Sequence, residues 1–181
     1  MTSRLINFTL FNTAWFLIVL SASRGWGILG PVIVIAWIIP FLAWKQQLRS
    51  EVGLLLSVAV LGLLCDSLLI RIGAIHIATG EHSGLLSPVW MVSLWVNLAA
   101  TLRFSLGWLA GRYCVAGVLG GIVGPAAYSA GQALNALELP QGLVPIAVEW
   151  MIAMPLLVIL EKTTRRQVDA GPSHNLDSRG Q

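Results

Sequence analysis

Charge is what this chain has least of. Asp, Glu, Lys and Arg make up 10% of its 181 residues, against about a quarter in an ordinary soluble domain. With 56% of the residues hydrophobic, there is too little polar side chain to wet the surface of a free globular enzyme. Cysteine is scarce as well. Cys65 and Cys114 are the only two, and they fall at different depths of different apolar runs, too far apart for a disulfide. They read as buried small residues rather than redox groups. No Gly-rich phosphate loop, Ser-centred elbow, HExxH or CxxC sequence occurs, so the usual soluble nucleotide, acyl-transfer, zinc-hydrolase and dithiol chemistries are absent.

What the chain has is apolar length. A membrane span needs about 20 mostly apolar residues, and six stretches qualify, at 5–22, 27–44, 52–72, 88–109, 115–136 and 143–160. The expected fold is all-α, a polytopic membrane helix bundle of six transmembrane helices filling residues 1–161. Residues 162–181, with Lys162, Arg165 and Arg166 followed by Ala-Gly-Pro-Ser-His-Asn, read as a disordered basic tail. The lipid bilayer is thus the first partner, and nothing suggests nucleic acid, a metal or a cofactor.

Cytoplasmic loops accumulate Lys and Arg. An even number of spans puts both termini on one side, with Arg4, Lys45, Arg49, Arg103, Arg112, Lys162, Arg165, Arg166 and Arg179, leaving Arg24 and Arg71 for the other. Both termini are expected in the cytoplasm. The net charge of +3 reflects this asymmetry, and the basic tail also suits contact with anionic lipid heads. Arg103, a few residues inside the fourth run, is expected to snorkel to the interface. The first run reads as an uncleaved helix interrupted by Asn7 and Asn12; the alternative is a signal peptide, with Arg4, an apolar core and Ser21-Ala22-Ser23 as its cleavage site.

The fifth run carries small-xxx-small spacing, Gly117 with Gly121, Gly120 with Gly124 and Ala127 with Gly131, which lets helix backbones approach closely. It is expected to be the central packing helix.

Two acids sit inside apolar runs, Asp66 in the third and Glu149 in the sixth. A carboxylate in the hydrocarbon layer is costly, so each is a candidate functional group facing a cavity or a partner. At 1.5 Å per residue both lie about 9 Å inside the outer boundary, deep enough to meet. Tyr128, Gln132 and Asn135 share a helical face of the fifth run at the same level, Asn12 and Asn97 lie nearer the midplane, and Arg71 lies above. Together these residues outline a polar pocket open outward. Helix glue is the duller alternative, with the acids only tying helices through Asn, Gln and Tyr. His76, Glu81 and His82 match no metal-ligand spacing and read as solvated loop residues.

Asn7, Asp66-Ser67, Pro88-Val-Trp90 with Leu94-Trp95 and Trp108, the segment Gly124-Pro-Ala-Ala-Tyr128-Ser-Ala-Gly131, and Glu149-Trp150 resemble a bacterial membrane family, the domain of unknown function DUF2878. The resemblance implies an inner-membrane protein of Gram-negative bacteria, from a family with members near genes for lipid-modifying enzymes, and carries no catalytic residue. Three function classes follow. The first is an enzyme or accessory component of membrane-lipid (fatty-acyl) modification, with Asp66 and Glu149 acting on or holding a lipid's polar group. The second is a small solute transporter or substrate-binding membrane subunit, and the third a structural or assembly protein. The oligomeric state is open.

Overall fold

The computed structural model describes residues 2–78 and 84–169. Among them six α-helices run in chain order: α1 Thr2–Ala22, α2 Leu29–Trp44, α3 Leu48–Arg71, α4 Val89–Ala99, α5 Tyr113–Ala133 and α6 Val144–Asp169. The one strand pair among the described residues is β1 His76–Ile77 with β2 Leu137–Glu138, antiparallel with His76 opposite Glu138. It joins the loop after α3 to the loop after α5, and Gln141 Nε2 donates to Ile72 O beside it.

Four helices, α1, α3, α5 and α6, are long and apolar enough to cross a membrane; α2, with 16 residues, and α4, with 11, are shorter. The surface matches that composition, with Leu56, Val60 and Leu64 of α3 and Val118 and Ile122 of α5 all exposed. Pro31 falls in the first turn of α2, where its missing N–H costs nothing.

Several expectations change. The fourth run is not one helix: α4 stops at Ala99, residues 100–106 turn through short backbone bonds such as Leu106 N to Thr101 O, and a 3-10 turn, Gly107–Leu109, follows. Hydropathy cannot separate a helix from an apolar turn once the turn is buried. The central helix is α4 rather than α5. It packs on α1, α2 and α3, while α5 lies chiefly against α6. The glycines of α5 lie close against their neighbours. A Cβ on Gly120 would overlap Trp150 O, and one on Gly124 would overlap the Trp150 ring; Gly117 and Gly121 face Met151, and Gly131 faces Leu137. Helix α6 runs on to Asp169, so 162–169 are helical, and 170–181 lie outside the described residues.

Arg103 does not snorkel. Its side chain sits 7% exposed in the turn after α4, with Nη1 3.1 Å from Glu51 Oε1 of α3 and Nε 3.3 Å from Glu161 Oε1 of α6. Nη1 also donates to Ser50 O and Nη2 to Thr164 Oγ1. Arg165 covers Glu161 from the surface. At the same end of the bundle Asn7 Nδ2 donates to Ala100 O, while Ser105 Oγ donates to Asn7 Oδ1. Polar side chains thus satisfy the backbone where α4 ends early.

Candidate functional site

Asp66 lies in the C-terminal third of α3, fully buried. The α3 backbone makes room for its partner, because Gly62, one turn earlier, has no side chain where the Trp95 ring lies; a Cβ there would overlap Trp95 Cγ. Trp95 Nε1 therefore reaches Asp66 Oδ2 at 2.9 Å, and Tyr128 Oη donates to Asp66 Oδ1 at 2.5 Å. Ser87 Oγ stands 3.5 Å from Oδ2, and the Ser87 backbone N–H donates to Ser67 Oγ. Three elements thus converge on one carboxylate, and each of its oxygens receives at least one hydrogen bond. This is the arrangement that makes a buried acid tolerable.

Beside this cluster opens a cavity of about 470 Å³. Phe8, Phe11 and Trp15 of α1 form one wall and Leu119, Val123 and Ala127 of α5 the other. Trp90, Leu94 and Trp95 of α4 form the floor. Tyr128 and Asp66 supply polar lining on the inner side and Asn12 on the rim, where Asn12 bonds back to Phe8 O. No Lys, Arg or His is among the described residues that line it. Trp150 closes the inner side, its ring stacked on Trp95 at 4.7 Å between centroids and edge-on to Tyr128 at 6.3 Å. Its Nε1 lies beside the Tyr128 hydroxyl but outside hydrogen-bond geometry, a buried donor without a partner among the described residues.

The remaining candidates separate. Glu149 sits on the seam between α6 and α3, with Asp66 and the Cys65 thiol as its polar neighbours. Both its carboxyl oxygens are buried without a hydrogen bond among the described residues, and it does not line the cavity. Asn97 is a structural tie, accepting from Trp37 Nε1 at 3.0 Å and donating to Phe11 O at 3.1 Å, so that it binds α2, α4 and α1 together. Gln132 and Asn135 are exposed and line a separate polar hollow with Ser129, Leu139 and Gly142. Asn135 leaves the helical face because α5 ends at Ala133 and Asn135 takes a positive φ of 60°. Arg71 is exposed at the end of α3. His76 is exposed in β1, and Glu81 and His82 lie outside the described residues. Among the described residues no group of three metal-ligating side chains forms. The thiols are free, Cys65 half-buried and Cys114 exposed.

Reading the residues alone missed Gly62, Ser87 and the bond from Trp95 to Asp66. A glycine one turn before an acid inside an apolar run was the available signal for Gly62; Ser87, just before Pro88, had none.

The family described as protein of unknown function (DUF2878) matches residues 4–156. No curated protein and no solved structure matches the chain.

Proposed function

The chain belongs to the DUF2878 family, and we propose that it is a multi-pass protein of the bacterial inner membrane, both termini cytoplasmic, that takes part in membrane-lipid modification as an enzyme or accessory component. The observation that carries this reading is the fully buried Asp66, held by Tyr128 and Trp95 at the wall of a large and otherwise apolar cavity. A cavity for a water-soluble solute would need convergent polar groups along its length; among the described residues this one has Asp66 and Tyr128 together on its inner side and, on the rim, Asn12, whose amide bonds back to Phe8 O.

The roles follow from geometry. Asp66 is saturated by its own partners, so it acts through Tyr128, whose hydroxyl hydrogen it accepts. That leaves the tyrosine oxygen with a lone pair for a polar group in the cavity. A carboxylate behind a hydroxyl is an arrangement that can orient a substrate hydroxyl or exchange a proton with it. Tyr128 is the catalytic or binding candidate and Asp66 its positioning residue. Glu149, off the cavity, is a second acid within electrostatic range of Asp66.

The test is a total-lipid profile of a strain lacking the gene. An altered acyl-chain or headgroup species is expected, restored by the natural protein but not by Tyr128→Phe or Asp66→Asn at equal membrane abundance. An unchanged profile in the deletion strain would remove the lipid-modification reading.

A further inference from the structure

The cavity has the shape of a groove open to one side. Helix α1 packs on α2 and α4, and α5 packs on α6, so the two walls share little backbone contact with each other. Exposed Phe8 and Asn12 on one rim and exposed Val123 on the other leave it open on the apolar surface. Along α1 it runs from Phe8 to Val19, eleven residues or about 16 Å at 1.5 Å each. That is about half of the ~30 Å hydrocarbon core of a bilayer, the depth of one leaflet.

We propose that this groove admits one acyl chain sideways from the bilayer, and that the chain belongs to an amphiphile whose polar group is an uncharged oxygen function, a hydroxyl or ester carbonyl, seated between Tyr128 and Trp150. The inference deepens the lipid reading and rests on it for the biological role, but the site stands on its own geometry. Three observations select the occupant. Apart from Asn12, whose amide bonds back to Phe8 O, the lining is apolar over the depth that a chain would fill. The Trp150 N–H, beside the Tyr128 hydroxyl and without a hydrogen bond among the described residues, calls for an acceptor, and the Tyr128 oxygen, its hydrogen committed to Asp66, accepts from a donor; a hydroxyl supplies both and a carbonyl the first. No cation among the described residues lines the cavity to pair with a carboxylate or phosphate, and its one carboxylate is already occupied by two donors, which removes the partner that an amine would need.

The tryptophans on the groove, Trp15, Trp90, Trp95, Trp108 and Trp150, provide the readout. The full chain in detergent is titrated with 1-(9,10-dibromostearoyl)glycerol, 9,10-dibromostearate and 9,10-dibromostearylamine, and quenching of tryptophan fluorescence is followed. The glycerol ester should give a saturable phase at about a tenfold lower concentration than the other two, the worth of one well-made hydrogen bond. Ala127→Phe, which puts a ring into the groove from a half-exposed position, should abolish that phase; Ala126→Phe, on the exposed face outside the lining, should not. Quenching that is unsaturable, or saturable but indifferent to Ala127→Phe, overturns the groove site. Tighter binding of the carboxylate or the amine overturns the uncharged-oxygen assignment. Saturable binding beside an unchanged lipid profile in the deletion strain would leave the site standing without the lipid-modification role. A changed profile without binding would do the reverse.

Discussion

Tyr128 donates its hydroxyl hydrogen to Asp66 Oδ1 over 2.5 Å, tying α5 to α3 where the two helices share little backbone contact. The bond decides how the cluster answers to substitution. In Asp66→Asn the amide oxygen can accept from Trp95, while the amide N–H₂ donates to a Tyr128 hydroxyl that has turned its own hydrogen toward the cavity. In Tyr128→Phe no such exchange exists, and a buried carboxylate oxygen loses its donor at a cost of about 1–3 kcal/mol. Thermal midpoints in detergent should therefore fall further for Tyr128→Phe than for Asp66→Asn, although both remove function. The opposite order would mean that the charge of Asp66, rather than its acceptors, holds the cluster.

Gly62 and Gly53 lie on the same helix and should respond in opposite directions to alanine. Among the described residues nothing lies within 4 Å of a Cβ on Gly53, so Gly53→Ala gains about 0.5–1 kcal/mol of helix stability. Gly62→Ala drives the Trp95 indole away from Asp66 and out of its stack on Trp150. Its thermal midpoint should drop, and the near-ultraviolet circular dichroism of the tryptophans should change with it. Equal stabilisation by both changes would show that Trp95 is not packed on Gly62.

The helices and the acid were legible because the same physics writes both: a long apolar run must be a buried or spanning helix, and an acid inside it must have a reason. The contacts themselves were less legible. Counting depth along the runs put Tyr128 at the level of Asp66 but could not say that the two would touch, and Trp95 reaches the acid from 29 residues away with no local pattern to encode that meeting. Arg103 looked like an interfacial cation for the same reason, since Glu51 and Glu161 come to it from 52 and 58 residues off. The small-residue face of α5 could not say how many neighbours that helix had, and α4, folded into a longer apolar run that read as one full span, was not singled out as the hub.

Arg103 offers the largest expected stability effect. Arg103→Met leaves Glu51 and Glu161, 1% and 6% exposed at their side chains, without their central cation, and breaking a buried pair in this way costs about 3–5 kcal/mol. Arg165, whose side chain is 53% exposed, should cost no more than about 1 kcal/mol as Arg165→Ala. Adding Glu51→Met and Glu161→Met to Arg103→Met should recover much of the loss, because apolar residues of similar size replace the whole ionic cluster. Thermal midpoints of the single and triple variants check this. A triple variant weaker than Arg103→Met would mark the charges themselves as required.

The proposed placement of the site in the outer half of the membrane depends on the direction of the chain, which is open to a direct test. The Arg103 cluster joins the start of α3 to the end of α6, while Asp66, Trp95 and Tyr128 cluster toward the opposite end, below the strand pair. The Lys and Arg excess favours the first end as the cytoplasmic one. In a background with Cys65 and Cys114 replaced by serine, Leu85→Cys, at an exposed position between the strand β1 and α4, should react with a membrane-impermeant maleimide in spheroplasts. Lys162→Cys, exposed on the last turns of α6, should react only after permeabilisation. Reversed labelling would turn the molecule over and open the groove's polar end to the inner leaflet. Labelling of both from outside would require an even number of crossings between residues 85 and 162, so that one of α4, α5 and α6 fails to span, and the charge split would then have misplaced the C-terminal end.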